Sequence, residues 1–262
     1  TYTSGVAVRF RTLLQYFVEH TDDQIHLVTA EVVHPNPPAA CFDGKVPIHY
    51  TKGFTLPNYR HFTLSSDFTF KILRLTHIFQ YDLIHVSSPG LLVFGAIVAS
   101  RLYQIPLVMS YHTHLPVYLR SYCPFGSRFL EWCLWKVLQW VHSMADMTLV
   151  TSPQIREEFR HQNIRSEVWQ KGVNTTQFHP NHASLSMRIK MTDGHAGEFV
   201  LVYIGRLAKE KRLEDLKAVL EQMNAWTPTR LCLVGSGPHE RELREFFRDT
   251  PTTFLGELHG DK

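Results

Sequence analysis

A regular alternation of short apolar segments with longer amphipathic segments constrains the fold of this chain more than any other feature. Residues 106–111, 146–150 and 229–234 have the length and composition of buried strands. Between such segments lie stretches with helical periodicity, such as residues 6–19, where apolar residues recur on one face. Strands that alternate with helices in this way predict a parallel sheet covered by helices on both faces.

The alternation stops at residue 172 and resumes at residue 198. The segment between contains Asn174, Pro180 and Gly194 and is predicted to be a linker. We therefore predict an α/β fold with two Rossmann-like domains, residues 1–172 and residues 173–262, of which the second is incomplete. Ligands of open parallel sheets bind outside the carboxyl ends of the strands, so the loops there are expected to hold the functional residues.

The composition excludes several classes of protein. Hydrophobic residues make up 44% of the 262 residues, enough for a buried core and too many for a disordered chain. The formal net charge of +3 is too small for a typical nucleic-acid-binding surface. The four cysteines lack Cys-x-x-Cys spacing and are expected to be separate reduced thiols. Every apolar stretch is far shorter than the roughly 20 residues of a membrane span.

Two loops of the first predicted domain carry candidate ligand contacts. Gly5 precedes the first predicted helix, where a residue without a side chain lets backbone amides approach an anion. A simple turn of the chain is the alternative for Gly5. Ser87 follows the predicted strand 82–86, and its hydroxyl is expected either to cap the next helix or to touch a substrate.

Two histidines follow the next strand of the same predicted sheet. His112 and His114 stand two residues apart, directly after the strand at 106–111. We expect no metal site there, because no carboxylate or cysteine lies near them in the sequence. His112 is instead a candidate for a contact with a substrate. The alternative is a histidine at the edge of the core that bonds to the backbone.

A charged loop follows the first strand of the second predicted domain. Arg206 comes directly after Gly205, and Lys211 stands at the expected start of the next helix. Arginine offers a planar fork of donors and lysine a point charge, so this pair suits a diphosphate. A solvated run of charges is the alternative.

A tight turn follows the second strand of that domain. Its residues are Gly235, Ser236 and Gly237, with Pro238 leading into a helix. Glycines give a ligand room close to the backbone. The turn is not a Walker loop, because no Gly-Lys-Ser/Thr follows it.

One pattern of segments extends over nearly the whole chain. Its members are Ser4-Gly5 with Arg9-Phe10, Asp82-Leu83-Ile84-His85, Ser87-Ser88-Pro89-Gly90, Val93-Phe94-Gly95-Ala96, residues 108–114, Pro116-Val117-Tyr118, Ala145-Asp146, residues 148–150, Trp169, Lys171-Gly172-Val173, Met187-Arg188, Gly205-Arg206 with Glu210-Lys211, Gly235, Gly237-Pro238 and Gly260-Asp261. The pattern resembles the retaining glycosyltransferases of the GT-B fold. Residues 110–114 with 116–118 are the narrower part and resemble the plant and cyanobacterial sulfolipid synthases.

The resemblance implies an enzyme that moves a sugar, sulfoquinovose in the sulfolipid branch, from a UDP-sugar to diacylglycerol with retention of configuration. It implies that Arg206 and Lys211 hold the donor diphosphate and that Gly5 faces it from the N-terminal, acceptor-side domain. His112 would lie near the reacting sugar and is the implied catalytic residue. The resemblance implies no metal and no other cofactor.

The remaining candidates implied by the resemblance form two sets. Residues 173–262 would begin the domain that binds the nucleotide sugar. On the base and sugar side of the donor stand Gly235, Ser236 and Gly237. On the acceptor side stand Ser87, His114 and Tyr118.

The sequence departs from the family pattern in four places. The strand before the Ser-Gly loop and the later E-x7-E motif are absent. Ser236 and Asn174 each stand where the family usually has Asp. The chain does not begin with Met, so we expect a fragment that is inactive alone, with any targeting segment upstream. The alternatives are another UDP- or GDP-sugar lipid glycosyltransferase (glucosyl, galactosyl or mannosyl) and a non-catalytic fragment that binds a nucleotide or a membrane.

Diacylglycerol is insoluble, so the enzyme is expected at a membrane surface. The predicted helix 125–144 has three tryptophans and two basic residues, which are Trp132, Trp135, Trp140, Arg128 and Lys136. This composition is typical of an interfacial helix, and the loop 115–124 is expected to share the contact. Burial of the helix in the first domain is the alternative, and both hold if one stripe stays exposed. We expect a plastid membrane in a eukaryote, or the cytoplasmic face of the membrane in a bacterium.

Overall fold

The computed structural model describes residues 5–30, 40–56, 59–65, 67, 70–122, 127–170 and 172–258. The chain divides into two compact units, Thr1–Gly172 and Val173–Lys262. This division falls at the same position as the boundary expected from the sequence. The roles assigned to the two domains, acceptor side and donor side, stay predictions.

The first unit alternates helices and strands along the chain. Its helices are α1 (Gly5–His20), α2 (Lys71–Phe79), α3 (Leu92–Tyr103), α4 (Leu115–Tyr122), α5 (Ser127–Ser143) and α6 (Pro153–His161). Its strands are β1 (Leu27–Ala30), β2 (Cys41–Phe42), β3 (Val46–Thr51), β4 (Gly53–Leu56), β5 (Tyr59–Ser65), β6 (Ile84–Ser88), β7 (Leu107–Tyr111), β8 (Met147–Val150) and β9 (Glu167–Val168). The long predicted helices at 6–19 and 125–144 are confirmed as α1 and α5.

The largest sheet of the first unit is parallel and has the order β6-β7-β8-β9. A second sheet pairs β1 with β3 in parallel and adds β2 antiparallel, while β4 and β5 form a separate antiparallel pair. The register of β6 and β7 sets Ser87 beside Ser110 and Ser88 beside Tyr111. The carboxyl ends of these two strands therefore meet at one edge of the sheet, where a ligand is expected.

Successive residues of β7 point to opposite sides of the sheet, so Leu107, Met109 and Tyr111 share one side. Leu107 and Met109 are fully buried in a cluster with Val86 of β6 and Val141 of α5. Tyr111 belongs to a neighbouring cluster, which contains Trp135, Leu138, Val150, Phe159 and Ile164. These apolar contacts fix the carboxyl end of β7 in the unit.

The second unit has a parallel sheet of order β10-β11-β12. Its strands are β10 (Phe199–Ile204), β11 (Thr229–Val234) and β12 (Thr252–Gly256), and its helices are α7 (Leu185–Met191), α8 (Asp215–Asn224) and α9 (Glu240–Phe246). The core is rich in leucine and consists of Leu207, Leu213, Leu220, Leu231, Leu233, Leu243 and Phe247. The two units confirm the predicted α/β class with parallel sheets.

Several local predictions are wrong. The expected linker at 172–197 contains α7, because the Ser184 hydroxyl accepts a hydrogen bond from the Met187 amide at 3.2 Å and starts a helix. The expected loop at 115–124 contains α4, which tolerates Pro116 in its first turn. The predicted helix 212–223 begins only at Asp215. The strands β2, β4, β5 and β9 were not predicted.

Two further expectations from the sequence concern membrane-spanning helices and the state of the cysteines. Over the described ranges, no helix is long and apolar enough to cross a membrane. The three cysteines within those ranges, Cys41, Cys133 and Cys232, are free thiols. Cys123 lies outside the described residues.

Candidate functional site

A serine between two histidines forms the centre of the candidate site in the first unit. The Ser110 Oγ lies 2.9 Å from Nε2 of His112 and 3.0 Å from Nε2 of His85. The backbone amide of His112 also donates to the carbonyl of Ser88 at 3.1 Å, which fixes the turn after β7. The trio joins β6 to the end of β7, the edge where the sequence predicts a ligand.

Aromatic rings enclose both histidines. The ring of Phe10 lies 5.3 Å from the ring of His85 and 5.5 Å from that of His112, between centroids. The ring of Trp169 lies 5.5 Å and 5.8 Å from the same two rings. Burial lowers the pKa of His85 to about 4. Burial, followed by the charges of Arg9 and His85, lowers the pKa of His112 to about 4. Both imidazoles are therefore neutral near pH 7.

Arg9 of α1 closes this cluster on one side. Its guanidinium carbon lies 4.0 Å from the centre of the Trp169 ring, a cation–π contact. Its Nη2 donates to the carbonyl oxygens of Trp169 and Gln170, while its Nη1 is buried and has no hydrogen-bond partner among the described residues. Burial lowers the pKa of Arg9 from its usual value. The arginine ties α1 to the chain after β9 and keeps one positive charge beside His112.

Four residues of this cluster were not predicted from the sequence to be functional, namely Arg9, His85, Ser110 and Trp169. Arg9 and Trp169 are 160 residues apart in the chain, so no local sequence pattern could predict their contact. His85 stands inside a strand, a position that favours a structural role. Its position in Asp82-Leu83-Ile84-His85, one of the segments of the family pattern, was the one signal that pointed to it.

The other predicted residues of the first unit have different surroundings. Ser87 is half-buried on β6 in register with Ser110, and α3 begins after Leu91 with no side-chain cap, so Ser87 does not cap that helix. Gly5 is the first residue of α1 and has open space where a Cβ would stand. The side chain of Tyr118 lies outside the described residues. The ligand roles of all three stay predictions.

His114 is held away from the trio by a charged partner. Its Nε2 lies 2.8 Å from a carboxylate oxygen of Glu158, and only 18% of its side chain is exposed. Its ring also stands edge-on to Trp135 at 6.4 Å. These contacts favour a structural role for His114 over an acceptor contact. Across the part of the chain that the structure describes, no three His, Cys, Asp or Glu side chains are grouped to hold a metal.

In the second unit, the turns after β10 and β11 pack backbone against backbone. A Cβ atom at position 235 would be 2.0 Å from the Gly205 carbonyl oxygen, and one at 237 would be 2.1 Å from that of Leu207. Gly235 also has a φ of +131°, which disfavours other residues. The amide of Leu207 donates to the Ser236 carbonyl at 2.9 Å. The Cβ sides of these two glycines thus face the protein's own backbone, and the ligand contact expected at this turn stays a prediction.

The predicted diphosphate pair lies on the first of these turns. Arg206 is half-buried, and its carbonyl oxygen accepts a hydrogen bond from the Tyr203 hydroxyl at 3.0 Å. Lys211 is exposed and ends a short 3-10 turn, Lys209–Lys211, instead of starting α8 as expected. Ser236 is in the neighbouring turn, where its hydroxyl donates to Glu257. The loop places two cations beyond the carboxyl end of β10, where an anionic ligand suits the fold.

The second unit also contains a histidine–carboxylate contact that the sequence did not predict. Nε2 of His239 lies 2.6 Å from a carboxylate oxygen of Glu214, and the amide of His239 donates to the Leu207 carbonyl at 3.0 Å. The hydrogen bond from His239 lowers the pKa of Glu214 below its usual value. This pair anchors the turn at 205–207 to the start of α9.

The architecture defines a class of protein. Over 99% of this chain and 66% of the other, the structure is similar to sucrose-phosphate synthase from Thermosynechococcus elongatus, with a TM-score of 0.68 and 18% identity. That likeness establishes the fold, which is the GT-B fold of glycosyltransferases.

The chain belongs to Glycosyltransferase Family 4, whose sequence pattern matches residues 3–177. It is 32% identical to sulfoquinovosyl transferase SQD2 of Arabidopsis thaliana, over 100% of this chain and 50% of the relative. It is 30% identical to a GDP-mannose-dependent alpha-mannosyltransferase of Corynebacterium glutamicum, over 69% of this chain and 42% of the relative. The chain thus spans about half the length of the curated relatives it matches. The expected membership of a glycosyltransferase family is confirmed.

Proposed function

We propose that this chain is part of a retaining glycosyltransferase that moves sulfoquinovose from UDP to diacylglycerol in sulfolipid biosynthesis. The observation that carries the proposal is the similarity to the Arabidopsis sulfoquinovosyl transferase, which extends over the whole of this chain. The finer parts of the proposal, the donor, the acceptor and the stereochemistry, rest on that similarity together with the chemistry of the candidate site.

Two cations suit the departure of a nucleotide diphosphate. Transfer leaves negative charge on the leaving diphosphate, and fixed positive groups stabilise that charge as it develops. Arg206 and Lys211 are proposed for this task because they lie on one loop beyond β10. With these side chains as the counter-charge, the proposal requires no metal or other cofactor.

The trio of His85, Ser110 and His112 suits a contact with the sugar. His112 is neutral near pH 7, and a neutral imidazole has one nitrogen that donates and one that accepts. Sugar hydroxyls need both kinds of partner. The rings of Phe10 and Trp169 cover part of both histidines, and this lower local polarity strengthens each hydrogen bond made there. We propose His112 for the contact with the reacting sugar and Ser87 with Tyr118 for the acceptor side.

An exposed apolar surface on α3 and α5 supports contact with a bilayer. Its side chains are between 45% and 68% exposed and consist of Phe94, Val98, Leu102, Phe129, Trp132, Val137 and Trp140. The rings of Phe94 and Trp140 lie 6.4 Å apart and join the two helices. Arg101, Arg128 and Lys136 are exposed on the same helices and complement anionic lipid. The buried residues Trp135, Leu138 and Val141 hold the other face of α5 in the core, so the proposed membrane contact concerns the exposed face alone.

A second candidate function is transfer of mannose from GDP-mannose. The specific observation in its favour is the 30% identity to the Corynebacterium mannosyltransferase over 69% of the chain. Because the chain is similar to both relatives at 30–32% identity, the similarity alone does not separate the two donors.

A panel of donors tests the proposal. The full-length gene product is incubated with diacylglycerol vesicles and either UDP-sulfoquinovose, UDP-glucose, UDP-galactose or GDP-mannose. The proposed function predicts the largest kcat/KM for UDP-sulfoquinovose. A preference for GDP-mannose would establish the second candidate, and no turnover of any donor would favour a protein that only binds nucleotide or membrane.

The proposed enzyme would be located at a plastid membrane in a eukaryote or at the cytoplasmic face of the membrane in a bacterium. Immunolocalisation in the source cell tests this location.

A further inference from the structure

We infer that His85 is a positioning residue for His112 and that it acts through the hydroxyl of Ser110. The inference rests on the proposed role of His112 at the reacting sugar. It concerns a residue that makes no proposed contact with donor or acceptor, and it is carried by the geometry of the trio.

The Ser110 hydroxyl has one proton and stands between two ring nitrogens. It lies 2.9 Å from Nε2 of His112 and 3.0 Å from Nε2 of His85. Within the described residues these two nitrogens are the only hydrogen-bond partners of the hydroxyl, so its proton goes to one ring and its oxygen accepts an N–H from the other. Both rings are neutral near pH 7, and a neutral imidazole carries a single N–H. It follows that His85 and His112 hold opposite tautomers.

This coupling fixes the state of the ring nitrogen that faces outward from the trio. Nε2 of His112 is committed to Ser110, and within the described residues its Nδ1 has no hydrogen-bond partner. If His85 donates through its Nε2, the Nδ1 of His112 carries the proton; if His85 accepts, that Nδ1 carries a lone pair. The tautomer of His85 thus decides whether His112 presents a donor or an acceptor to a ligand.

Ser110 is shielded from solvent by its surroundings. Ser110 has no exposed surface, and the rings of Phe10 and Trp169 pack against both histidines. The charged group facing His112 from α1 is Arg9, and the titratable group facing it from β6 is His85. Neither supplies a second acceptor for the ring. The orientation of His112 therefore depends on Ser110 and, through it, on His85.

The same unit contains a matched control. His142 is buried, has a pKa lowered to about 4 by burial, and lies 3.2 Å from the Ser88 hydroxyl and 3.1 Å from that of Thr148. Ser88 and Ser110 are both buried serines whose hydroxyls bond to a histidine ring. Ser88→Ala removes such a hydroxyl without touching the trio, and Ser110→Ala removes the one that joins His85 to His112.

The first arm of the experiment is nitrogen NMR of the full-length protein with labelled histidine. The wild type is expected to show His85 and His112 as single, opposite tautomers near pH 7. Ser110→Ala is expected to convert His112 to a mixture of tautomers, and Ser88→Ala to leave it unchanged. The same tautomer in both wild-type rings would overturn the inference, as would a single unchanged His112 tautomer in Ser110→Ala.

The second arm is kinetic. Ser110→Ala and His85→Phe are each expected to lower kcat between about 10-fold and 100-fold, the range seen when the partner that orients a metal-binding histidine is lost. The KM for the donor should change little, and Ser88→Ala should keep wild-type turnover. His85→Phe keeps an aromatic ring against Phe10 and Trp169, so it serves if Ser110→Ala does not fold.

A set of outcomes separates this inference from the proposed function. If His112→Ala loses turnover while Ser110→Ala and His85→Phe keep it, the positioning role is wrong and the role of His112 stands. If His112→Ala keeps turnover, the proposed role of His112 is wrong and the positioning role falls with it.

Discussion

Gly237 lies directly against the backbone of Leu207, and a Cβ atom at position 237 would be 2.1 Å from the Leu207 carbonyl oxygen. The amide of His239 donates to that same oxygen at 3.0 Å. The crossing of these two turns holds Arg206 and the residues after it in place at the end of β10. The glycine is therefore required by the fold, whatever ligand binds nearby.

We predict that Gly237→Ala destabilises the second unit by about 1–3 kcal/mol, because the group it meets is backbone and cannot move aside. Gly197→Ala is the control, since the Cβ position of Gly197 meets nothing within 4 Å. Hydrogen exchange of the β11 amides measures the free energy of opening for each variant. Equal protection in the two variants would show that the turns separate more easily than their geometry suggests.

Arg206→Ala and Lys211→Ala should each lower kcat in the full-length enzyme by about 10²–10³, the loss typical of one fixed donor at a developing negative charge. Lys209→Ala removes the same charge from an exposed residue two positions from Lys211 and should have little effect. The measurement is turnover at saturating donor. The diphosphate assignment fails if Lys211→Ala and Lys209→Ala cannot be told apart.

His112→Ala should lose far more turnover than His114→Ala. The ring of His112 is enclosed with Ser110 and two aromatic rings, whereas His114 is engaged by Glu158 at 2.8 Å. Steady-state rates of the two variants provide the comparison, and the unfolding temperature of each separates stability from activity. A chelator should change neither rate; inhibition by EDTA that zinc reverses would instead establish a metal site.

Trp132→Ser and Trp140→Ser should fold normally and float less with anionic liposomes, because these rings are 57% and 52% exposed. Trp135→Ser should lower stability, since Trp135 belongs to the buried cluster around Phe159. Trp226→Ser in the second unit is the control, as that ring is 91% exposed and should not affect flotation. Circular dichroism checks the fold of each variant. If both exposed variants on α5 float like the wild type, the docking surface lies elsewhere.

The sequence predicted the elements that bury apolar residues along their whole length. The strand at 229–234 matches β11 residue for residue, because β11 lies between two other strands and four of its residues line the core. The helix α7 escaped prediction because its start depends on one serine hydroxyl among linker-like residues. The antiparallel pair β4 and β5 likewise lacks an alternation strong enough to identify it.

The candidate site was predictable only in part. His112 and Arg206 stand directly after apolar strands, so local pattern and the rule for parallel sheets were sufficient to select them. His85, Arg9 and Trp169 gain their importance from contacts across the unit, with partners up to 160 residues away. The sequence also could not indicate that the turn at 235–237 packs against the backbone of the turn at 205–207.

The most direct test of the central claim is the product formed from UDP-sulfoquinovose and diacylglycerol by the full-length gene product. NMR of the purified lipid gives both the sugar and its anomeric configuration. The account predicts a sulfoquinovosyl lipid with the same configuration as the donor sugar, and none from the Arg206→Ala, Lys211→Ala double variant. An inverted product, or a different sugar transferred in preference to sulfoquinovose, would contradict it.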